Sequence, residues 1–345
     1  MTLNYKCPSC GGPMEFSAEE QVLKCSFCGN TLPIDAELED QVESSTESEK
    51  EPEPEYDEYH GYKCPSCGAE IVTDDNTTAT FCSFCGNPTL MEDRMDGVRR
   101  PSRVVPFMLD KQAARENFRA WTRKGLLTPG EFRKKATIEK LTGMYVPFWL
   151  YDYNANVRMT ARCTRTRREY HGDDEIIYTD HFLVNRHIQA DYDKLPADAS
   201  EKMDDDLMDM LEPFEYDKLA TFNMGYLSGY YAEKYDYTSA DMKDRIETRV
   251  KKYADDAARS TIIGYDSVRP ISTNYALRCT NTEYVMMPVW MLNYHWKGKL
   301  QTVAINGETG KRAGKLPSSP LRVFLWWAGI SVGSFGICLL YNLLK

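Results

Sequence analysis

The hydrophobic pattern of residues 98–321 predicts a folded region that opens with two helices. Ala114, Phe118 and Trp121 fall on one helical face and predict a helix over 110–124, which Gly125 ends. Residues 128–131 read Thr-Pro-Gly-Glu, a capping box with proline at the first helical position. They predict a second helix that continues to about residue 141.

Alternating apolar and polar residues predict long strands in the middle of the chain. The alternation runs from about 145 to 168 and returns over 176–190. Helices are predicted near 202–211, 225–234 and 240–260. Thr238 and Asp241 form a capping-box start for the last of them.

A short motif occurs twice and suggests an internal duplication. Residues 146–150 read Val-Pro-Phe-Trp-Leu, and residues 287–291 read Met-Pro-Val-Trp-Met. Proline in both copies favours a strand start or a sheet edge, and residues 306–310 read as a turn between strands. We therefore predict an α+β domain over 98–321 with an antiparallel sheet.

The C-terminal segment 323–344 contains 22 residues without a charge, long enough to cross a bilayer as one helix. Trp326 and Trp327 near one end and Tyr341 near the other are typical of membrane-interface positions. The alternative is a buried core helix. Length and the lack of polar periodicity favour a transmembrane helix that contacts the lipid bilayer.

The charges beside this segment predict its orientation. Only Lys345 follows it, whereas four basic residues precede it: Lys311, Arg312, Lys315 and Arg322. The positive-inside rule places the N-terminal bulk in the cytoplasm. We expect a single-pass, tail-anchored protein of the cell membrane.

Eight of the eleven cysteines form two copies of one pattern, CPSCG followed by CSFCGN. Four thiolates at this spacing suit a closed tetrahedral zinc site with no position left for water or substrate. A glycine after each CxxC lets the chain turn back, so that backbone N–H groups point at the sulfurs. The predicted ligands are Cys7, Cys10, Cys25, Cys28, Cys64, Cys67, Cys82 and Cys85.

Two structural Zn²⁺ ions therefore define zinc ribbons over 1–34 and 61–92. Disulfides would need an oxidising compartment, and the sequence has no signal peptide. Spacing alone does not distinguish zinc from a rubredoxin-like four-cysteine iron site. The scattered Cys163, Cys279 and Cys338 are interpreted as small buried hydrophobes.

Charge is strongly segregated along the chain. Residues 35–58 hold twelve acidic residues and one lysine, which predicts a disordered acidic linker over 35–60. Acidic ribbons disfavour nucleic-acid binding through the ribbons themselves. The following basic stretch includes Arg99, Arg100, Arg103, Arg115, Arg119, Arg123, Lys124, Arg133, Lys134 and Lys135.

This basic stretch has three functional interpretations beside an ordinary solvated face. It could contact nucleic acid, pair with the acidic linker, or lie on the anionic inner leaflet. Leaflet contact is worth about 1 kcal/mol per charge near the surface. A membrane-tethered domain favours the leaflet over nucleic acid.

No catalytic motif accompanies these features. P-loop, GxGxxG and HExxH patterns are absent from the sequence. His171, His181 and His187 lie among acidic residues without ligand spacing, and we interpret them as exposed strand residues. We therefore predict that the protein is not an enzyme.

The ribbons and several central motifs resemble a bacterial family from Gram-positive lineages, usually labelled TFIIB-type zinc-ribbon proteins. The motifs are GLLTPGEFRKKATIEKLTGMYVPFWLYDY, DASEKMDDDLMDMLEPFEYDKL, GYLSGYYAEKYD, YVMMPVWMLNYHWKGK and NGETGK. The resemblance implies zinc at the eight cysteines and often a C-terminal membrane segment, but no settled activity. Some members carry a primosomal-helicase label, which the missing motor motifs do not support.

These observations predict a tail-anchored cytoplasmic adaptor that presents two zinc ribbons to protein partners on a flexible tether. The alternative is a nucleic-acid-associated transcription or replication factor that uses the basic region 99–135. The sequence does not fix the oligomeric state.

Overall fold

The chain divides into two compact units, each built from separate stretches of sequence. The first unit comprises Met1–Pro147, Ser200–Lys234 and Met286–Lys345, and the second comprises Phe148–Ala199 and Tyr235–Val285. The computed structural model describes residues 2–3, 5–34, 60–63, 70–73, 77–81, 88–91, 100–134, 138, 140–172, 174–296 and 299–343.

Strands dominate the described residues. The N-terminal strands are β1 (Thr2–Leu3), β2 (Met14–Ser17), β3 (Val22–Cys25), β4 (Thr31–Leu32), β5 (His60–Lys63), β6 (Glu70–Thr73), β7 (Thr77–Phe81) and β8 (Pro88–Met91). The others are β9 (Arg103–Val104), β10 (Thr142–His171), β11 (Asp174–Asp198), β12 (Ala220–Thr221), β13 (Tyr231–Glu233), β14 (Ser267–Trp296), β15 (Lys299–Asn306) and β16 (Arg312–Gly314).

The large sheet is mixed but mainly antiparallel. Its strand order is β1-β8-β7-β13-β10-β14-β15-β16. Only the β10–β13 pairing is parallel among the registers of the described strands, with Met144 opposite Tyr231. The prediction of an α+β fold with a mainly antiparallel sheet is confirmed.

Aromatic side chains form the core of the first unit. Phe107 stacks on Tyr230, with ring centroids 4.1 Å apart, and meets Tyr145 and Trp290 edge-on at 5.0 and 5.2 Å. All four side chains are buried. Trp290 also donates its indole N–H to the Leu109 carbonyl at 3.0 Å, so a buried polar group is satisfied.

The second unit is a long β-hairpin with a helix. Beyond Pro147, β10 pairs antiparallel with β11 from Phe148–Asp198 to His171–Asp174. A buried cluster joins the hairpin to the helix and consists of Met159, Ala161, Cys163, Val184, Ala258 and Ile262. Period-two burial along β10 therefore follows from one face of the hairpin being covered.

Four α-helices lie in the described residues: α1 (Lys111–Lys124), α2 (Asp205–Leu211), α3 (Lys243–Ser260) and α4 (Pro320–Leu343). Asp110 caps α1 by accepting the Ala113 N–H at 2.6 Å. The helices predicted over 110–124, 202–211 and 240–260 are confirmed with small shifts in their bounds. Thr238 and Asp241 do bond each other, although α3 begins only at Lys243.

Two predicted helices differ in the structure. The residues predicted as a helix over 128–141 contain a 3-10 helix at Gly130–Arg133, while 135–137 and 139 lie outside the described residues. The helix predicted over 225–234 is wrong. A 3-10 helix at Met224–Leu227 gives way to β13, because Gly229 has a positive φ of 90° and ends the helical turn.

The repeated motif lies inside strands rather than at their starts. Pro147 is in β10 and Pro288 is in β14, so the predicted strand-start or edge position is wrong. Both tryptophans are buried, and Trp149 donates to the Tyr237 carbonyl at 2.8 Å as Trp290 does to Leu109. Each motif copy also begins an antiparallel pairing with the next strand. The duplication itself stays a prediction.

The C-terminal helix α4 is long and apolar enough to cross a membrane by length and composition. Its candidate span is Pro320–Tyr341, 22 residues, with none of the span buried. Trp326 and Trp327 are exposed near its start. A soluble core helix would be covered by the rest of the chain, so the buried-helix alternative does not describe this segment.

Candidate metal centre

Four cysteines of the first CxxC copy converge near the N-terminus. The Sγ atoms of Cys7, Cys10, Cys25 and Cys28 all lie within 4.8 Å of one another. The Cys7–Cys28 and Cys10–Cys25 sulfur pairs are each 3.5 Å apart. A tetrahedral Zn²⁺ with bonds of about 2.3 Å needs sulfurs about 3.8 Å apart, so the cluster fits this ion.

Glycine turns bring each CxxC pair into a knuckle. Gly11 and Gly29 have positive φ values of 71° and 75°, a conformation that costs glycine little. Their N–H groups donate to the carbonyls of Cys7 and Cys25 at 2.8 and 3.0 Å. The predicted role of glycine in turning the chain back is confirmed at both pairs.

The backbone favours thiolate at two of the four sulfurs. Burial acts to raise the pKa of Cys7, but the N–H groups of Ser9 and Cys10 outweigh it and lower the pKa to about 6. The Cys28 N–H lowers the pKa of Cys25 in the same way, despite burial. These oriented amides stabilise negative charge on the sulfurs.

The Cys10 sulfur shows why a cation is needed. The Gly12 N–H acts to lower the pKa of Cys10, yet the neighbouring Cys28 and Cys25 sulfurs raise it to about 12. Four close thiolates repel one another unless a divalent ion compensates their charge. With all four positions taken by sulfur, the set leaves no ligand position for a substrate and suits a structural ion.

The first ribbon, residues 5–34, is hydrogen-bonded to the segment that contains the 3-10 helix at Met224–Leu227. Ser228 donates its hydroxyl to the Met14 carbonyl at 2.7 Å, and its own carbonyl accepts the Phe16 N–H at 2.9 Å. Asn223 donates to the Ile34 carbonyl at 3.3 Å. Two bonds at β2 and one just after β4 fix the orientation of the ribbon in the first unit.

Apolar contacts reinforce these bonds. Phe16 is buried and meets Tyr226 edge-on with ring centroids 5.1 Å apart. Gln21 donates to the Phe107 carbonyl at 2.8 Å and so connects the ribbon to the aromatic core. The expectation of a ribbon carried on a flexible tether is therefore wrong for the first copy, which is part of the first unit.

Sequence reasoning missed these contact residues. Ser228, Asn223 and Gln21 are more than 80 positions from their partners along the chain. A polar side chain that bonds a distant backbone carbonyl leaves no periodic signal. Ser228 lies in the segment 225–234, for which the sequence predicts a helix.

The second four-cysteine copy lies outside the described residues, as does the linker 35–59. Cys64, Cys67, Cys82 and Cys85 thus stay predicted ligands. The strands that flank them are described: β5 pairs with β6, and β7 pairs with β8, both antiparallel. Each CxxC of this copy therefore falls between two paired strands, much as the Cys25–Cys28 pair begins at the end of β3 and precedes β4.

The predicted basic contacts that the structure describes belong to several different elements. Arg99 and Lys135 lie outside the described residues, and Arg103 is on β9 opposite Thr221. Arg100 precedes that strand, and Arg133 and Lys134 end the 3-10 helix after α1. The remaining four are on α1, three of them at i, i+4 spacing along one face: Arg115, Arg119, Arg123 and, beside the last, Lys124.

Within the described ranges, no second cluster of metal-ligating side chains accompanies the cysteines. His181 and His187 are exposed on β11, and His187 bonds Asn156 at 2.8 Å. Their interpretation as exposed strand histidines is confirmed. Of the scattered cysteines, Cys163 is buried as predicted, whereas Cys279 and Cys338 are exposed.

The knuckles and their sulfur cluster define a four-cysteine zinc-binding module at the N-terminus of a mixed-sheet protein. Residues 6–36 match the family model described as Trm112p-like protein. Over 335 residues the chain is 41% identical to the uncharacterized protein YdjG of Bacillus subtilis (strain 168), covering 97% of this chain and 96% of that protein. The chain belongs to the same family as YdjG. No solved structure matches it.

Proposed function

We propose that the protein is a non-enzymatic, tail-anchored zinc-ribbon adaptor that recruits protein partners to the cytoplasmic face of a membrane. The observation that carries the proposal is the apolar helix Pro320–Tyr341, none of which is buried, and which belongs to the same unit as the four-cysteine cluster. A metal site whose four positions are all taken by thiolates is typical of a structural ion and not of a catalytic one. An exposed apolar helix of this length supports an anchor.

The exposed side of the first ribbon supports a partner-binding role. Phe27 lies between Cys25 and Cys28 with 77% of its surface exposed. The opposite side, with Met14 and Phe16, is buried. Exposed aromatic side chains on a rigid scaffold are typical anchors of protein interfaces. Phe84 holds the equivalent place in the second copy, which would bind a second zinc and present a second contact.

The proposed orientation follows from charge and redox chemistry. Lys315 precedes α4 and Arg322 is in its first turn, at the end that the positive-inside rule assigns to the cytoplasm. Thiolate ligands also persist best in a reducing compartment. Both arguments place the ribbons and the sheet on the cytoplasmic side.

A nucleic-acid-associated function is the second candidate, and one observation favours it. Arg119 and Arg123 are exposed at i, i+4 spacing on α1, with Arg115 one turn earlier. Such a row suits contacts with phosphates. Of the aromatic residues of α1, Phe118 is buried and Trp121 is half-buried, so the helix offers little surface on which bases of a single strand could stack.

Affinity purification of the full-length protein from detergent-solubilised membranes tests the adaptor function. A partner protein should remain bound after nuclease treatment and should be lost in Phe27→Ala, while the zinc content is unchanged. Tyr170→Ala is the matched control, because Tyr170 is also an exposed aromatic, at 69%, in the second unit. The partner protein should still be captured by Tyr170→Ala.

Two results would refute the adaptor. One is capture that depends on nucleic acid and is lost in Arg119→Glu, which favours the second candidate. The other is full-length protein that fractionates away from membranes, which removes the anchor.

A further inference from the structure

The loop 125–129, which we call the anchor loop, is hydrogen-bonded to the start of α4. The Ser319 N–H donates to the Leu127 carbonyl at 2.8 Å. Arg322 donates from Nη1 to the Leu126 carbonyl at 3.4 Å. These bonds hold the anchor loop beside the first residues of the apolar helix.

The side chain at the centre of this contact is apolar and exposed. Leu126 has 63% of its surface exposed, although its carbonyl is bonded to Arg322. Trp326 and Trp327 follow Arg322 by one turn and are exposed at 49% and 65%. Tryptophans at one end of an apolar helix are typical of the interfacial layer of a bilayer. The anchor loop therefore lies close to that layer if α4 spans the membrane.

Positive charge surrounds the anchor loop. Arg123 and Lys124 form the exposed last turn of α1 immediately before it. The stretches 123–134 and 315–322 together hold one carboxylate, Glu131, and six basic residues: Arg123, Lys124, Arg133, Lys134, Lys315 and Arg322. An apolar side chain among cations matches an anionic membrane surface in both charge and polarity.

We propose that the anchor loop and the last turn of α1 form a binding site for anionic phospholipid headgroups. Leu126 enters the interfacial layer, and Arg123 and Lys124 bind the phosphates of neighbouring lipids. This inference rests on the proposed membrane anchoring by α4. It goes further by assigning a second, electrostatic contact that depends on lipid composition and sets the height of the first unit above the bilayer.

A lipid surface fits these residues better than a soluble anion. Arg123 and Lys124 are exposed, and a small anion in water gains little from exposed cations. The exposed Leu126 contributes nothing to a soluble anion, whereas burial in the headgroup layer removes its side chain from water.

Photo-crosslinking of the full-length protein in nanodiscs tests the proposal. A photoreactive amino acid replaces Leu126 or, as the matched control, Ile263, which is 79% exposed in the second unit. The nanodiscs contain phosphatidylcholine alone or with one third phosphatidylglycerol. We expect lipid adducts at position 126 to exceed those at 263 and to increase with phosphatidylglycerol. Arg123→Gln with Lys124→Gln should reduce them by a factor on the order of five.

The outcomes separate this inference from the anchoring on which it rests. Protein that fails to co-purify with nanodiscs would refute the anchor. Protein that inserts but gives equal lipid adducts at 126 and 263 would overturn the headgroup site alone. Equal yields in the two lipid compositions would also overturn it, as would adducts at 126 that form on protein instead of lipid.

Discussion

The first ribbon and the second unit place cysteine in opposite environments. Cys7 is buried beside three other sulfurs, and backbone amides lower its pKa to about 6. Cys163 is equally buried, but its neighbours are the apolar side chains of Met159, Val184 and Ile262. Backbone amides and neighbouring thiolates suit Cys7 to bind a metal, whereas Cys163 serves as a small apolar side chain in a packed core.

The two regions also differ in what stabilises them. The first ribbon has about 30 residues and a small apolar core around Met14, Phe16 and Leu23, and segments of this size need a metal or a disulfide for stability. The second unit covers a long hairpin with α3 and buries a continuous apolar cluster. We therefore expect metal removal to unfold the first region and to leave the second intact.

The largest effect is predicted for Cys25→Ser. Loss of one thiolate should abolish tight zinc binding at this site, where a structural Zn²⁺ contributes roughly 10–16 kcal/mol in comparable peptides. Metal analysis should show one zinc fewer, and hydrogen exchange of residues 5–34 should become fast. Exchange in β10 and β11 beyond Pro147 should not change.

Cys279→Ser is the control for this change. Cys279 is exposed and outside the sulfur cluster, so its replacement should leave the metal content as it is. A full zinc complement in Cys25→Ser, or slow exchange over 5–34 without metal, would contradict the metal-dependent folding of the ribbon. Iron instead of zinc in the wild-type protein would change the metal but not the ligands.

The second prediction concerns the apolar cluster of the second unit. Met159 is 1% exposed, so Met159→Ala should leave a cavity and lower the free energy of unfolding by about 2–5 kcal/mol. Denaturant unfolding followed by a signal from the second unit measures the loss. Zinc content should stay constant, because the cluster contains no metal ligand.

Leu183→Ala provides the comparison within the second unit. Leu183 is on β11 and is 66% exposed, so the change should be within about 0.5 kcal/mol. Equal losses from the two substitutions would show that the second unit does not depend on its buried cluster.

The contrast between the two regions also explains what the sequence could predict. Cysteine spacing determined the sulfur cluster, because ligand geometry permits few arrangements. Period-two alternation predicted β10 and β11, because one face of the hairpin is covered, although both strands extend beyond the predicted bounds. Both signals are local and repeated.

The docking of the ribbon gave no such signal. It depends on a hydrogen bond between Ser228 and Met14, which are 214 positions apart. It also depends on the segment after Ser228 forming the strand β13, where a helix was expected. Tyr230 stacks on Phe107 and Ala232 pairs with Ala79, so partners far along the chain decided the local conformation. The freely tethered ribbon was predicted from the acidic linker alone.

Ser228→Ala tests that docking. The Ser228 hydroxyl is the donor to the buried Met14 carbonyl, and its removal should cost about 1–3 kcal/mol, because the carbonyl loses its partner. Hydrogen exchange should accelerate in β2 and around Tyr226, with zinc still bound. Ser228→Ala should therefore weaken the docking of the ribbon without removing its zinc.

Ser260→Ala is the matched control, since Ser260 is exposed and bonds only the Ala257 carbonyl within its own helix end. The proposed role of Ser228 is refuted if hydrogen exchange in β2 and around Tyr226 is the same in Ser228→Ala and Ser260→Ala. It is also refuted if Ser228→Ala releases zinc, which would make docking and metal binding a single event.

The smallest effect is a pH dependence that belongs to the second unit alone. The side chain and the backbone N–H of Thr238 both donate to Asp241 and hold its pKa below the ordinary 3.8. A carboxylate with a lowered pKa stabilises the folded state above its unfolded pKa, and that contribution is lost as the pH falls through the folded value. Asp241→Asn should therefore flatten the decline in stability below about pH 4.

Unfolding midpoints of the second unit between pH 6 and about pH 3 measure this effect. Asp256→Asn is the control, because it removes the same charge from the exposed face of α3 without contacting Thr238. If stability falls with pH as steeply in Asp241→Asn as in the wild-type protein, the Thr238–Asp241 turn does not stabilise the start of α3.

In the first ribbon, acid should act differently, since protons there compete with the metal for sulfur. The two regions would then lose stability at separate pH values for separate physical reasons.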